Sequence, residues 1–140
     1  MEASAIIPSL TYNDANQAID WLCDAFGFQK HLIVPGENGT ILHAELRLGT
    51  VMIMMGSAQS GTEFSKLTKP PSELGGFETQ CPYIVVDNPD GIYESAKKEG
   101  AKIAVEIKTN EYGGRGFSCY DLEGHLWSFG SYDPWNVPLK

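Results

Sequence analysis

The spacing of apolar and polar residues changes several times along the chain, and each change marks an element. Ile6 to Tyr12 reads as a strand. After Asn13-Asp14 the apolar residues Ala15, Ala18, Ile19, Leu22, Ala25 and Phe26 recur three or four positions apart, one face of a helix, until Gly27. Asp14 followed three residues later by Gln17 fits a capping box, in which the carboxylate accepts from free amides and the Gln reaches back, and Gly27 supplies a left-handed stop. Strand patterns follow over Phe28 to Val34, Thr40 to Leu48 and Val51 to Met55, separated by turns at Gly36-Glu37-Asn38-Gly39 and Gly49. The order is βαβββ.

The second half repeats this order. Tyr83 to Val86 reads as a strand, Asp87-Asn88-Pro89 as a helix start, Ile92, Tyr93 and Ala96 as its apolar face, and Gly100 as its stop. Asp14 and Asp87, Ile19 and Ile92, and Gly27 and Gly100 each lie 73 residues apart, which points to internal duplication. Strands are expected over Ala101 to Ile107, Gly116 to Asp121 and Leu126 to Gly130, with Gly124 turning the chain as Gly49 does. One domain over 1–140 is expected, with modules at about 5–56 and 81–131, a linker at 57–80 and a tail at 132–140. The linker holds Gly61, Pro70, Pro71, Gly75 and Gly76 without a sustained period. It reads as a connecting excursion, either a cover for a pocket or a plain linker, with Phe64 and Phe77 as its large anchors.

Composition narrows the function classes. The 140 residues are 42% hydrophobic and 20% charged, ordinary for a globular protein with a core of its own. A net charge of -8 argues against attraction to nucleic acid or anionic membranes. No apolar stretch approaches the roughly 20 residues needed to span a bilayer, and Met1 to Leu10 lacks a basic start, so a cytoplasmic protein is expected. Cys23, Cys81 and Cys119 form no metal or redox pair in sequence and are expected to be reduced and mostly buried. His31 and His125, at a strand and a turn, are expected to be exposed.

The segments PSLTYNDANQAIDWLCDAFGF, HAELRLG, YIVVDNPDGIYESAKKEGA and RGFSCYDLEGHLWSFGSYDPW resemble the vicinal-oxygen-chelate superfamily, and within it the glyoxalase, bleomycin-resistance and PhnB-like branch. The resemblance implies an α+β fold: two βαβββ modules pair into a curved eight-stranded mixed sheet, with helices on the convex face. The concave face encloses a ligand, commonly at a homodimer interface. The superfamily contains lyases, isomerases, ring-cleaving dioxygenases, thiol transferases and catalytically inert drug binders, so fold alone does not choose among them.

Metal-using members place ligands in the first and last strand of each module, positions that fall on Ile7, Ile53, Cys81 and Ser128 here. These do not form a nitrogen and oxygen donor set, so neither metal nor other cofactor is expected. Alternation along Thr40 to Leu48 puts His43, Glu45 and Arg47 on one face and Ala44, Leu46 and Leu48 on the other. His43 and Glu45 could bind a metal with help from Ser128 or a ligand, act as general acid and base, or serve structurally, with Glu45 paired to Arg47 and His43 as a pocket wall. The same alternation assigns Ser9, Thr11, Val51, Ile53, Tyr83, Val85, Ser118, Tyr120, Leu126 and Ser128 to the ligand-facing side. Trp127 and Phe129 go to the helix side. Arg115 is a rim residue, either clamping an anionic ligand or solvated, and Tyr132, Pro134 and Trp135 resemble a closing segment. The expected function is metal-independent binding of a small organic ligand by a homodimer, as in drug or metabolite sequestration. The alternative is a lyase, isomerase or dioxygenase-type enzyme with an unusual site around His43 and Glu45.

Overall fold

The computed structural model describes residues 1–136; the end of the expected tail, 137–140, lies outside the described residues. The first half consists of β1 (Ser9–Tyr12), α1 (Ala15–Phe26), β2 (Gln29–Pro35), β3 (Ile41–Leu48) and β4 (Val51–Ser57). The second repeats it as β5 (Tyr83–Val85), α2 (Pro89–Lys98), β6 (Lys102–Thr109), β7 (Arg115–Tyr120) and β8 (Leu126–Gly130). The eight strands lie in two four-stranded mixed sheets of matching topology, β1-β4-β3-β2 and β5-β8-β7-β6. In each, the first strand runs parallel to the last and the others pair antiparallel.

Helix α1 forms where its apolar period predicts. The Asp14 carboxylate accepts from the Gln17 amide at 3.0 Å, and Gly27 ends the helix at φ 86°. The capping box is closed differently from the expectation. Glu123, in the β7–β8 turn of the other half, accepts from the backbone N–H groups of Asn13 and Asp14 at 2.6 and 2.8 Å, where the Gln17 side chain was expected. Helix α2 is capped by Asn88, which accepts from the Gly91 amide at 3.1 Å.

Each helix covers one face of its own sheet and packs against the other helix. The core is continuous across the halves: Phe26 of α1 lies 5.3 Å from the Trp127 ring and 4.7 Å from the Phe129 ring, both on β8 and both fully buried. The Trp21 indole N–H donates to the Glu99 carbonyl at the end of α2. Trp127 and Phe129 thus occupy the helix side, as alternation predicts.

Strand pairing corrects the expected facing of β4. Ile53 pairs with Leu46 and is 2% exposed, so it belongs to the core; Met52 and Met54, opposite Arg47 and Glu45, face outward. The run Val51 to Met55 is apolar throughout, so alternation within it could not choose a side, and the partner strand decides.

The connecting segment has short 3-10 turns at Phe64–Lys66 and Pro71–Glu73. Its anchors are the buried Pro70 and Pro71, whereas Phe64 and Phe77, the anchors expected from size, are exposed. The segment is also tied by a Thr68–Thr11 hydroxyl contact.

Candidate functional site

The face of the first sheet turned away from α1 carries Ser9 and Thr11 of β1, His43, Glu45 and Arg47 of β3, and Met52 and Met54 of β4. Register aligns Ser9 with Met54 and Met54 with Glu45. The connecting segment runs along one end of this face and, with it, forms a half-open cavity of about 390 Å³, bordered by Ser9, Thr11, His43, Met54, Ser60 and Phe64. A larger groove of about 730 Å³ lies alongside, between Ile6 to Thr11, the connecting segment and the entry to β5 at Cys81-Pro82.

His43 and Glu45 meet. Glu45 Oε2 lies 2.8 Å from His43 Nε2, and Oε1 lies 3.9 Å from His31 Nε2. An ionised carboxylate is an acceptor only, so this contact fixes the His43 proton on Nε2 and leaves the Nδ1 lone pair as an acceptor. Arg47 makes no ion pair among the described residues, so the expected Glu45–Arg47 pairing is replaced by a His31–Glu45–His43 cluster. His31 entered the cluster through a register shift between Lys30 and Leu32, which simple alternation does not anticipate.

The second sheet gathers the other expected residues on its own open face. Ser118 is paired with Ser128 and their hydroxyls are 2.7 Å apart, Tyr120 is paired with Leu126, and Tyr83 is paired with Ser128. The Tyr83 hydroxyl donates to the Tyr132 carbonyl at 2.7 Å. None of these four residues borders the 390 Å³ cavity, so the eight predicted site residues fall on separate surfaces. Arg115 stands apart from both: β7 buries Phe117 and Cys119 on the helix side, and Arg115 shares their parity. Its guanidinium is held by Asp90 at the start of α2, at 2.9 Å from Nε and 3.0 Å from Nη2. The bond from Arg115 holds the Asp90 carboxyl below its ordinary range. This arginine is neither a free clamp nor merely solvated.

The largest departure from expectation is His125, expected at an exposed turn and found 6% exposed. Its Nε2 lies 2.8 Å from the Thr11 carbonyl, its Nδ1 lies 2.9 Å from Glu78 Oε1, and its ring packs 4.7 Å from that of Tyr12. Beneath it, Asp121 accepts from the Tyr12 hydroxyl at 2.6 Å, the Trp127 indole at 3.0 Å, and the amides of Glu123 and His125, each at 3.0 Å. Burial first, and the nearby Asp121 carboxylate second, raise the Tyr12 hydroxyl well above its ordinary pKa. No sequence signal near His125 announces partners 47 and 114 residues away.

The four positions expected to hold a metal carry side chains that cannot do so together. Ile7 donates nothing and Ile53 faces the core. Cys81 is exposed rather than buried as expected, with partial desolvation by its neighbours raising its thiol, and the Ser128 hydroxyl is engaged by Ser118. Among the described residues, no three His, Cys, Asp or Glu side chains converge to hold an ion. This donor set does not fit a divalent metal centre.

Fold and site together define a two-module α+β protein with an apolar, hydroxyl-edged cavity against one sheet. The model of the glyoxalase/bleomycin resistance protein/dioxygenase superfamily matches residues 6–129, and the chain belongs to that superfamily. An uncharacterized protein of Mycobacterium bovis is 29% identical over 126 residues, covering 90% of this chain and 82% of that protein. TioX from Micromonospora sp. ML1 is 29% identical with a TM-score of 0.68, over 91% of this chain and 98% of its own. The fosfomycin resistance protein FosX from Mesorhizobium loti shares the fold at 13% identity and a TM-score of 0.67, over 96% of this chain and 97% of its own. No helix among the described residues is long and apolar enough to cross a membrane.

Proposed function

We propose that this chain is a metal-independent small-molecule-binding protein that sequesters a drug or metabolite in the cavity between its first sheet and the connecting segment. The observation that carries the reading is the cavity itself. Its volume of about 390 Å³ lies within the range of small-ligand sites, roughly 300–1,000 Å³. Met54 and Phe64 supply apolar contact, and His43 and Ser9 supply orientation. The charge of -8 favours a neutral or cationic guest through long-range potential. The chain acts as a cytoplasmic homodimer, in which a second copy presents Tyr83, Ser118, Tyr120 and Ser128 to the same ligand. The branch nearest in character is the PhnB-like one.

The test is a thermal-shift and calorimetric screen of aromatic and cationic compounds against the wild-type protein and Met54→Trp, whose indole would fill the cavity. Ligand-induced stabilisation in the wild type that disappears in the folded variant is expected. Equal stabilisation of both would remove the cavity from the reading. Near-stoichiometric transition metal in untagged protein purified without chelator would end the metal-independent part, and a monomer by light scattering the dimeric part.

A second reading has its own observation. The 2.8 Å His43–Glu45 contact beside the cavity has the form of a base with its orienting carboxylate, and it favours an enzyme that moves a proton in a lyase or isomerase reaction. Turnover lost in His43→Ala would support it.

A further inference from the structure

Most polar side chains around the cavity already have partners within the chain. Thr11 is in contact with Thr68, Ser57 accepts from the Ile41 amide at 2.9 Å, and Thr62 accepts from the Ser65 amide at 3.1 Å. Ser65 donates in turn to the Thr62 carbonyl at 2.7 Å. Two groups have no partner among the described residues: the Ser9 hydroxyl and His43 Nδ1. With its proton held on Nε2 by Glu45, the His43 ring presents a basic lone pair beside an apolar wall. A ligand that is only an acceptor gains nothing from that nitrogen. A ligand that donates gains a hydrogen bond, and the carboxylate behind the ring stabilises any positive charge the imidazole acquires.

We infer that the His43–Glu45 dyad makes this cavity selective for ligands bearing a weakly acidic hydroxyl, such as a phenol or enol, and that the dyad takes up the hydroxyl proton on binding. The inference rests on the cavity being the ligand site and names the class of ligand it takes. The proton leaves the ligand oxygen for His43 Nδ1, which gives an oxyanion facing an imidazolium with Glu45 Oε2 behind it. No atom is lost and total charge is unchanged. The charged groups facing the ring are Glu45 on its own strand and, through Glu45, His31 on β2. β1, β4 and the connecting segment border the cavity with hydroxyls, Gly56 and the apolar side chains of Leu10, Met54, Met55 and Phe64, none of them charged. Transfer is favoured when the hydroxyl is about as acidic as imidazolium, whose ordinary pKa is about 6.5.

The probe is 4-nitrophenol, whose phenolate is yellow, with 4-nitroanisole as the same shape lacking the proton. Both are titrated against the full chain at about pH 7.5, above the ordinary imidazolium pKa of about 6.5, and the phenolate absorbance is read against that of free 4-nitrophenol at the same pH. Binding of the phenol with growth of phenolate absorbance, at an affinity at least about tenfold above that of the anisole, is the expected result; tenfold corresponds to about 1.4 kcal/mol. Glu45→Gln keeps a side chain of the same size but removes the charge behind the ring, and it is expected to abolish the phenolate signal. His43→Phe, checked for folding by its thermal transition, is expected to bind phenol and anisole alike. Equal binding of the two probes by the wild type, or a phenolate signal that persists in Glu45→Gln, would overturn the inference while leaving the cavity as a ligand site. Binding of neither probe would overturn the inference and count against the cavity reading as well.

Discussion

Asp121→Asn tests whether one buried carboxylate organises the junction between the halves. The carboxylate accepts four hydrogen bonds: the Tyr12 hydroxyl and Trp127 indole on Oδ2, the Glu123 and His125 amides on Oδ1. An asparagine of the same shape has only one oxygen. The favoured turn points its amide nitrogen at the Tyr12 hydroxyl, whose oxygen can accept, and at the Trp127 indole, which cannot, so one buried donor is left unpaired and the two backbone amides lose their charged acceptor. At about 1–3 kcal/mol for the unpaired buried donor and about 1 kcal/mol for each of the two amide bonds that lose a charged acceptor, the loss comes to about 3–5 kcal/mol. For a chain of this size that corresponds to a fall of roughly 9–15 °C in Tm. Urea unfolding followed by Trp fluorescence, with calorimetry for Tm, measures it. Tyr12→Phe alone removes one donor and is expected to cost about 1–2 kcal/mol. In the double variant the bond given up by Tyr12→Phe is already a neutral one, so the combined loss is less than additive. A loss below about 1 kcal/mol for Asp121→Asn, or strict additivity with Tyr12→Phe, would refute the account.

Other predictions concern titration and the close contacts of the tail. Burial pushes the Cys119 thiol from 9.0 up to about 12, so the folded state favours the protonated form. That contribution is fully present below pH 9 and is lost as pH rises toward 12. Tyr12, raised above 10.0, adds in the same direction once the pH passes that value. Stability measured in urea is therefore expected to fall above pH 9, and a flat profile would contradict it. In the native state Cys81 is expected to react with iodoacetamide while Cys119 reacts only on unfolding, as mass spectrometry of the digested protein would show. Gly114 sits at φ 71°, and a Cβ there would fall 2.8 Å from the Tyr132 Cα. Gly114→Ala is expected to displace the tail, separate the Tyr112 and Tyr132 rings that lie 5.1 Å apart, and lower stability by about 1–3 kcal/mol. An unchanged Tm would show that this packing is dispensable.

What could be read from the chain was whatever its local chemistry decides. Helix α1 has the bounds its period and caps predict, and β8 runs over Leu126–Gly130 as its pattern suggests. Strand β3 alternates cleanly from His43 to Leu48, so the placement of His43, Glu45 and Arg47 on one face followed from sequence. Strand β4 does not alternate, and only its pairing with β3 shows that Met54 rather than Ile53 faces outward. Arg115 could have been placed by extending the parity of Phe117 and Cys119 back one step. His125 could not, because burial of a turn histidine depends on Thr11 and Glu78, which approach only when the chain is folded. Residue size misled in the connecting segment, where Pro70 and Pro71 are buried and the phenylalanines remain at the surface.

The carboxylate of Glu123 that closes the start of α1 makes each repeat a debtor to the other. Severing the backbone between the repeats yields two fragments: one with bare amides at its helix entrance, the other with Trp127 and Phe129 stripped of Phe26. Each piece is then expected to be less stable alone than within the whole chain, and mixing them restores what each lacks. Reassembly in trans, rather than independent refolding, is the behaviour that this exchange across the duplication dictates.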